Sequence, residues 1–195
     1  IYDSLSMVRA HNRLPGLRRP LMTWIHGIEV WEESRADRLR NANLADAHSL
    51  LAAIASARGD STAAGKHYQQ AVALAPATGA HANNYGVWLC GNGRAAESLA
   101  WFEKAIADPN CPSRAAALAN AGTCANRAGQ PEQAEANWRQ ALALDPGELE
   151  SLAGMAALQF GSGRYLEARV FVERWLTLSR VDAERGELRV NVLAQ

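Results

Sequence analysis

"NNYGVWLCGNGR", residues 83–94, carries a Gly-x-Gly pair ahead of a basic residue. Two readings compete: a loop that cradles phosphate, or a bend between helices. A phosphate loop needs a preceding β-strand and a set glycine spacing, and this stretch has neither. The bend reading gains from recurrence. Four glycines each precede an amphipathic run: Gly59 in "ARGDSTAAGKHYQQAVALAP", Gly93 in "GNGRAAESLAWFEKAIADP", Gly129 in "RAGQPEQAEANWRQALALDP" and Gly163 in "GSGRYLEARVFVERWLTLS". They are separated by 34 residues (59 to 93), 36 (93 to 129) and 34 (129 to 163). "GSGR" at 161–164 repeats "GNGR" at 91–94 in register. Glycine supplies the backbone freedom that a helix C-terminal turn demands. Gly93 is therefore predicted to be a bend inside a helical hairpin.

A period near 34 belongs to the tetratricopeptide repeat, a helix–turn–helix unit. Counted from Ala45, Gly79, Ala115 and Leu149, the twentieth position holds Ala64, Ser98, Ala134 and Ala168. The twenty-fourth holds Tyr68, Phe102, Trp138 and Val172, and the twenty-seventh Ala71, Ala105, Ala141 and Trp175. Small residues let paired helices approach; the large residue fills the space between neighbouring units. Pro76, Pro109 and Pro146 close three units. The predicted fold is all-α, a right-handed solenoid of antiparallel helix pairs, with repeats at 45–78, 79–112, 115–148 and 149–182. Residues 1–44 are expected to be a degenerate helical segment. Within it, 21–41 reads as a helix with Leu21, Ile25, Ile28 and Leu39 on one face and Trp24 and Trp31 at its margins. Residues 183–195 are expected to form a separate short capping helix, because solenoids need atypical end units.

Composition narrows the function. Lys plus Arg and Asp plus Glu both number 20 in 195 residues, so no bulk charge calls for nucleic acid. No apolar run approaches the roughly 18 residues of a membrane span. Cys90, Cys111 and Cys124 match no zinc spacing. His11, His26, His48, His67 and His81 show no second ligand at metal-binding spacing along the sequence, and no nucleophile elbow is present. The sequence thus points to a non-catalytic protein with no cofactor, metal or small-molecule substrate.

What remains is binding. Stacked hairpins make a concave surface lined by the first helix of each unit. Its expected residues are Asn83, Asn84, Val87 and Cys90, then Ala119, Asn120, Thr123 and Asn126, then Ala153, Ala157 and Phe160. Asn side chains there can bond to a peptide backbone; alternatively, Asn83, Asn84 and Asn120 cap helices or tie units together. An apolar patch of Trp24, Trp31 and Trp88 is a second candidate surface, with core packing as its alternative. Some tetratricopeptide domains grip acidic chaperone C-termini through a Lys, Asn, Asn, Lys, Arg clamp. Here those positions hold Ser49, Ala53, Asn84, Ala116 and Asn120. With no cation to meet a carboxylate, that partner class is excluded.

The local wording carries more. "ADAHSLLA" (45–52), "NNYGVWLC" (83–90), "WFEKAIADPNCP" (101–112), "NAGTCANRAG" (120–129), "AEANWRQALALDP" (134–146) and "GRYLEARVFVERWL" (163–176) resemble the type IV pilus biogenesis and stability lipoprotein family, the pilotins of the pilus secretin. The resemblance spans about 45–178. It implies a periplasmic adaptor at the inner face of the outer membrane, held by a lipid on an N-terminal Cys that this chain does not contain. It further implies that the partner is the secretin subunit, which the family brings to the membrane and helps to multimerise. Residues 1–44 do not match the family's first repeat. Cys111 stands where the family has an aromatic residue, and Ala119 where it has Glu. An oxidising periplasm would permit a bridge between Cys90 and Cys124, which lie one repeat apart on first helices of adjacent units. The alternative is two small buried thiols.

Overall fold

The structure is a computed structural model that describes the backbone of residues 29–193 and the side chains of 37–180. The chain divides into two compact units, Ile1–Leu44 and Ala45–Gln195. The described helices are α1 (Glu29–Ala57), α2 (Ser61–Leu74), α3 (Gly79–Gly91), α4 (Ala95–Ala107), α5 (Arg114–Arg127), α6 (Pro131–Leu144), α7 (Leu149–Gly161) and α8 (Tyr165–Leu193). No strand occurs among the described residues.

Each hairpin turns in the same way. Gly59, Gly93, Gly129 and Gly163 have φ of +80°, +79°, +78° and +76°, values that favour glycine. The glycine N–H donates to the carbonyl three residues back, and the next N–H reaches five back: Asp60 to Ala55, Arg94 to Leu89, Gln130 to Ala125 and Arg164 to Gln159. Those bonds satisfy carbonyls that a helix end otherwise leaves open. The next hairpin is anchored less uniformly. Gly79, at the start of α3, donates its N–H to Asp108 Oδ2 at 2.8 Å. Hydrogen bonds from the Gly79 and Asn110 N–H groups hold the Asp108 carboxyl below its ordinary range.

Packing follows the repeat register. α3 packs on α4, α5 on α6 and α7 on α8, while α2 meets α3, α4 meets α5 and α6 meets α7. First helices also touch, α3 with α5 and α5 with α7. Ala64, Ser98, Ala134 and Ala168 are all buried, as are Ala71, Ala105 and Ala141. The large residues bridge the layers. Tyr68 packs with Val72, Tyr85 and Leu89; Phe102 with Cys90, Ala121 and Cys124; Trp138 with Ala125 and Met155. Val172, in the last described hairpin, is exposed instead, and its neighbour Phe171 turns inward against the Trp138 cluster.

The helices at the two ends run longer than expected. Residues 21–41 were expected to form a helix; 29–41 lie in α1, which runs unbroken from Glu29 to Ala57, while 21–28 lie outside the described residues. No Gly or Pro interrupts 29–58, so nothing stops propagation before Gly59. Residues 183–195 were likewise expected to form a separate cap. α8 instead continues from Tyr165 to Leu193, through Gly186, because a single glycine weakens a helix by only about 1 kcal/mol.

Candidate functional site

α3, α5 and α7 carry the residues expected to face a partner. Asn84 and Val87 sit one turn apart on α3 and are both exposed. Asn83 and Asn120 are half-buried and joined, the Asn120 Nδ2 donating to Asn83 Oδ1 at 3.1 Å. Asn83 in turn reaches Asn84 Oδ1 at 3.5 Å. Thr123 donates its hydroxyl to Glu150 Oε1 at 3.0 Å, tying α5 to α7. The surface is therefore a polar ladder across three units. Its inner rungs, Asn83 and Asn120, hold the units in register, while Asn84, Val87 and the exposed Asn126 remain open to solvent. Phe160, in the last turn of α7, is 65% exposed and packs edge-to-face on Tyr165 with ring centroids 5.3 Å apart.

Several candidates are placed elsewhere. Ala119 and Cys90 are buried, not groove-facing, because the first helices pack closely at these positions. Cys90 and Cys124 form a disulfide, with Cα atoms 5.8 Å apart; Cys111 is free. Trp88 follows the core-packing alternative, partly buried against Val72, Tyr85 and Leu89. Its ring covers Gly65 of α2 at a distance where a Cβ would stand 2.5 Å away, and it stacks on Tyr85 at 5.8 Å. Trp24 lies outside the described residues. Trp31 lies on α1, with its side chain outside the described set.

Histidines form two joints that linear spacing did not reveal. His48 of α1 and His67 of α2 stack, with their Nδ1 atoms 3.0 Å apart. One nitrogen must donate and the other accept. His81 of α3 is 4% exposed; its Nδ1 meets Ser49 Oγ at 2.8 Å and its Nε2 lies 3.5 Å from Asp46. Burial pushes the His81 imidazole below its ordinary value, against a smaller opposing pull from Asp46. Though the trio contains Ser, His and Asp, the ring is sealed between α1 and α3 with both nitrogens engaged, so it acts as a fastener. The hairpin fold was the available signal: His48 and His67 lie within one turn of equal distance from the Gly59 bend. Among the described residues no three His, Cys, Asp or Glu side chains converge as metal ligands.

A cleft of about 490 Å³ lies between Pro146 and Gly147 of the α6–α7 loop and Val170, Arg174 and Thr177 of α8. None of the Asn ladder lines it.

With uniform glycine bends, small residues at the helix crossings and large ones between layers, the architecture is decided. The chain is a tetratricopeptide-repeat solenoid. A family profile described as tetratricopeptide repeat matches residues 125–189. Among solved structures, PilW, described as a widely conserved type IV pilus biogenesis factor, is 30% identical, with a TM-score of 0.66 over 70% of this chain. This chain spans 62% of the length of that PilW structure. PilF of Pseudomonas aeruginosa is 24% identical, with a TM-score of 0.65 over 73% of this chain and 70% of its own. MamA of Desulfovibrio magneticus, 18% identical with a TM-score of 0.61 over 70% of this chain and 76% of its own, shares the fold. No curated protein matches the sequence.

Proposed function

We propose that this solenoid is a non-catalytic pilotin: it binds the type IV pilus secretin subunit, brings it to the outer membrane and promotes its multimerisation. The observation that carries the reading is the 30% identity to PilW across 70% of the chain. That identity exceeds the 16–18% of the MamA structures, which share the fold alone. Two features of the chain support it. The Cys90–Cys124 bridge suits an oxidising compartment such as the periplasm. The Asn84, Val87 and Asn126 side offers hydrogen-bonding amides around an apolar residue, which fits an extended polypeptide segment. The site of action is the periplasmic face of the outer membrane, reached through a lipid on a precursor Cys outside this sequence.

Deletion of the gene, followed by a gel assay for heat-resistant secretin multimers and by membrane fractionation, tests the proposal. Multimers should be lost or should accumulate at the inner membrane, and the wild-type gene should restore them. Unchanged multimers in the outer membrane would overturn it.

A further inference from the structure

The described junctions between units follow one residue register. Between α4 and α5, Leu99 shares a cluster with Ala125, Phe102 with Ala121 and Ile106 with Ala117. Between α6 and α7, Glu135 meets Gln159, and Trp138 lies on Gly154 and beside Met155. Between α2 and α3, Gly65 lies under Trp88, and Tyr68 packs with Tyr85. Counted along each unit, positions 21, 24 and 28 of a second helix meet positions 10–11, 7 and 3 of the next first helix. Numbers climb on one helix as they fall on the other, so the two run antiparallel. The contact seals both sides: Phe102 and Trp138 are buried, as are Ala117, Ala121 and Met155.

Each end of the array presents one half of that same contact, uncovered. On α1, positions 3, 7 and 10 are Ala47, Leu51 and Ile54. They fall within about 60° of one another at 100° per residue. All three are exposed, Leu51 by 44% and Ile54 by 39%. On α8, positions 24 and 28 are Val172 and Leu176, about 40° apart, and they are 42% and 48% exposed. Position 21 there is Arg169, polar as Glu135 is in the third unit. Terminal units of a solenoid ordinarily turn a polar face outward, whereas these edges are apolar. They are also complementary: α8 carries the second-helix half of the contact and α1 the first-helix half. Length supplies a separate match. α1 and α8 each run 29 residues, while α2 to α7 run 13 or 14. α1 begins 16 residues before Ala45 (45 − 29) and α8 ends 11 after residue 182 (193 − 182). In an antiparallel pair these two overhangs fall at the same end.

We propose that a second copy of this chain covers these edges: α8 of one chain packs on α1 of the next, with Val172 on Leu51, Leu176 on Ala47 and Arg169 beside Ile54. The repeat register then continues across the junction. Such a contact joins two different surfaces and leaves each pair of chains with free edges, so association runs head to tail unless a ring closes. The junction uses neither Asn84 nor Val87 and stands apart from the secretin reading.

Sedimentation velocity across the micromolar range tests it, with the average mass expected to rise with concentration. Leu51→Glu spoils the α1 edge and Val172→Glu the α8 edge. Each variant alone should associate at least about tenfold more weakly than wild type, because an unpaired charge is buried at every junction. An equimolar mixture is decisive. The intact α8 edge of the Leu51→Glu chain can meet the intact α1 edge of the Val172→Glu chain, so the mixture should form dimers and nothing larger. Circular dichroism with urea midpoints checks that each variant folds, and Ile54→Lys and Leu176→Lys probe the same two edges where a first variant does not. A wild-type chain that stays monomeric overturns the proposal and leaves the edges to a helix of another protein. So does a mixture that stays monomeric, or a pair of variants that each assemble as wild type does.

Discussion

The Trp138 indole lies so close to the α-carbon of Gly122 that a Cβ built there would stand 2.6 Å from both Cδ1 and Nε1. Gly154 of α7 meets the benzo edge of the same ring, so the indole is held between two glycines on successive first helices. Phe102 covers Gly86 in the same fashion one repeat earlier, with a virtual Cβ 2.9 Å from Cε1.

This arrangement reverses the usual sign of a helix substitution. Gly→Ala within a helix normally stabilises by about 1 kcal/mol. At Gly122 the added methyl must displace a ring buried at 2% exposure, and overpacking of that kind costs about 1–3 kcal/mol. Gly122→Ala should therefore lower the urea midpoint, whereas Gly161→Ala, which meets nothing within 4 Å, should leave it unchanged or raise it. Equal responses from the two variants would refute the packing argument.

The Cys90–Cys124 bridge spans 34 residues and joins α3 to α5. In the chain-entropy picture a loop of that size contributes roughly 3–4 kcal/mol. Reduction, or Cys90→Ala with Cys124→Ala, should lower the midpoint by a corresponding amount without removing helical signal, since neighbouring repeats still stack on each other. Alkylation followed by mass spectrometry gives a direct count: one modified thiol, Cys111, without reductant and three with it. Three without reductant would show that the bridge is not formed.

Sequence alone disclosed the bends and the stacking order, because both are periodic: a positive-φ glycine and a buried small residue recur at fixed intervals. The ends of the helical array were harder. α1 and α8 pass through positions where repeat boundaries were expected, since a boundary counted from a neighbour's register carries no stop signal of its own. The second glycine register, Gly86 and Gly122 under Phe102 and Trp138, is present in the sequence without a local signal of its role. Its partners are brought together by hairpin closure and not by linear spacing. The same holds for His48 with His67 and for His81 with Ser49. At the groove, exposure of Asn84 and Val87 followed from repeat position, while the Asn83–Asn120 bond needed coordinates to tell a structural amide from a binding one.

His81 gives the first repeat a pH dependence of definite sign. Burial sets its folded-state value below the ordinary 6.5, so the unfolded chain takes up the proton first. The contribution to stability is complete above about pH 6.5 and is lost as pH falls from there towards the folded-state value. Urea midpoints should thus drop between pH 7.5 and pH 5, and His81→Gln should flatten that slope relative to wild type. A variant with an unchanged slope would show that the proton goes elsewhere.

Asn84 and Val87 are the open centre of the polar ladder, and their removal separates binding from folding. Both side chains are exposed, and Val87 is not a member of any of the buried clusters, so neither should carry much stability. Surface changes of this kind typically alter it by less than about 0.5 kcal/mol. Val87→Glu puts an unpaired charge where an apolar contact is proposed, and Asn84→Ala removes an amide able to bond a peptide backbone. Together they should weaken binding of a purified secretin subunit by tenfold or more, as loss of about 1.4 kcal/mol requires, and reduce secretin multimers in cells. Asn120→Ala makes the contrast. Its amide is already committed to Asn83 at 3.1 Å, so its loss should cost about 1 kcal/mol of stability and act on binding only through the register of α3 against α5. If Val87→Glu with Asn84→Ala binds as wild type does, the secretin docks on another face of the solenoid.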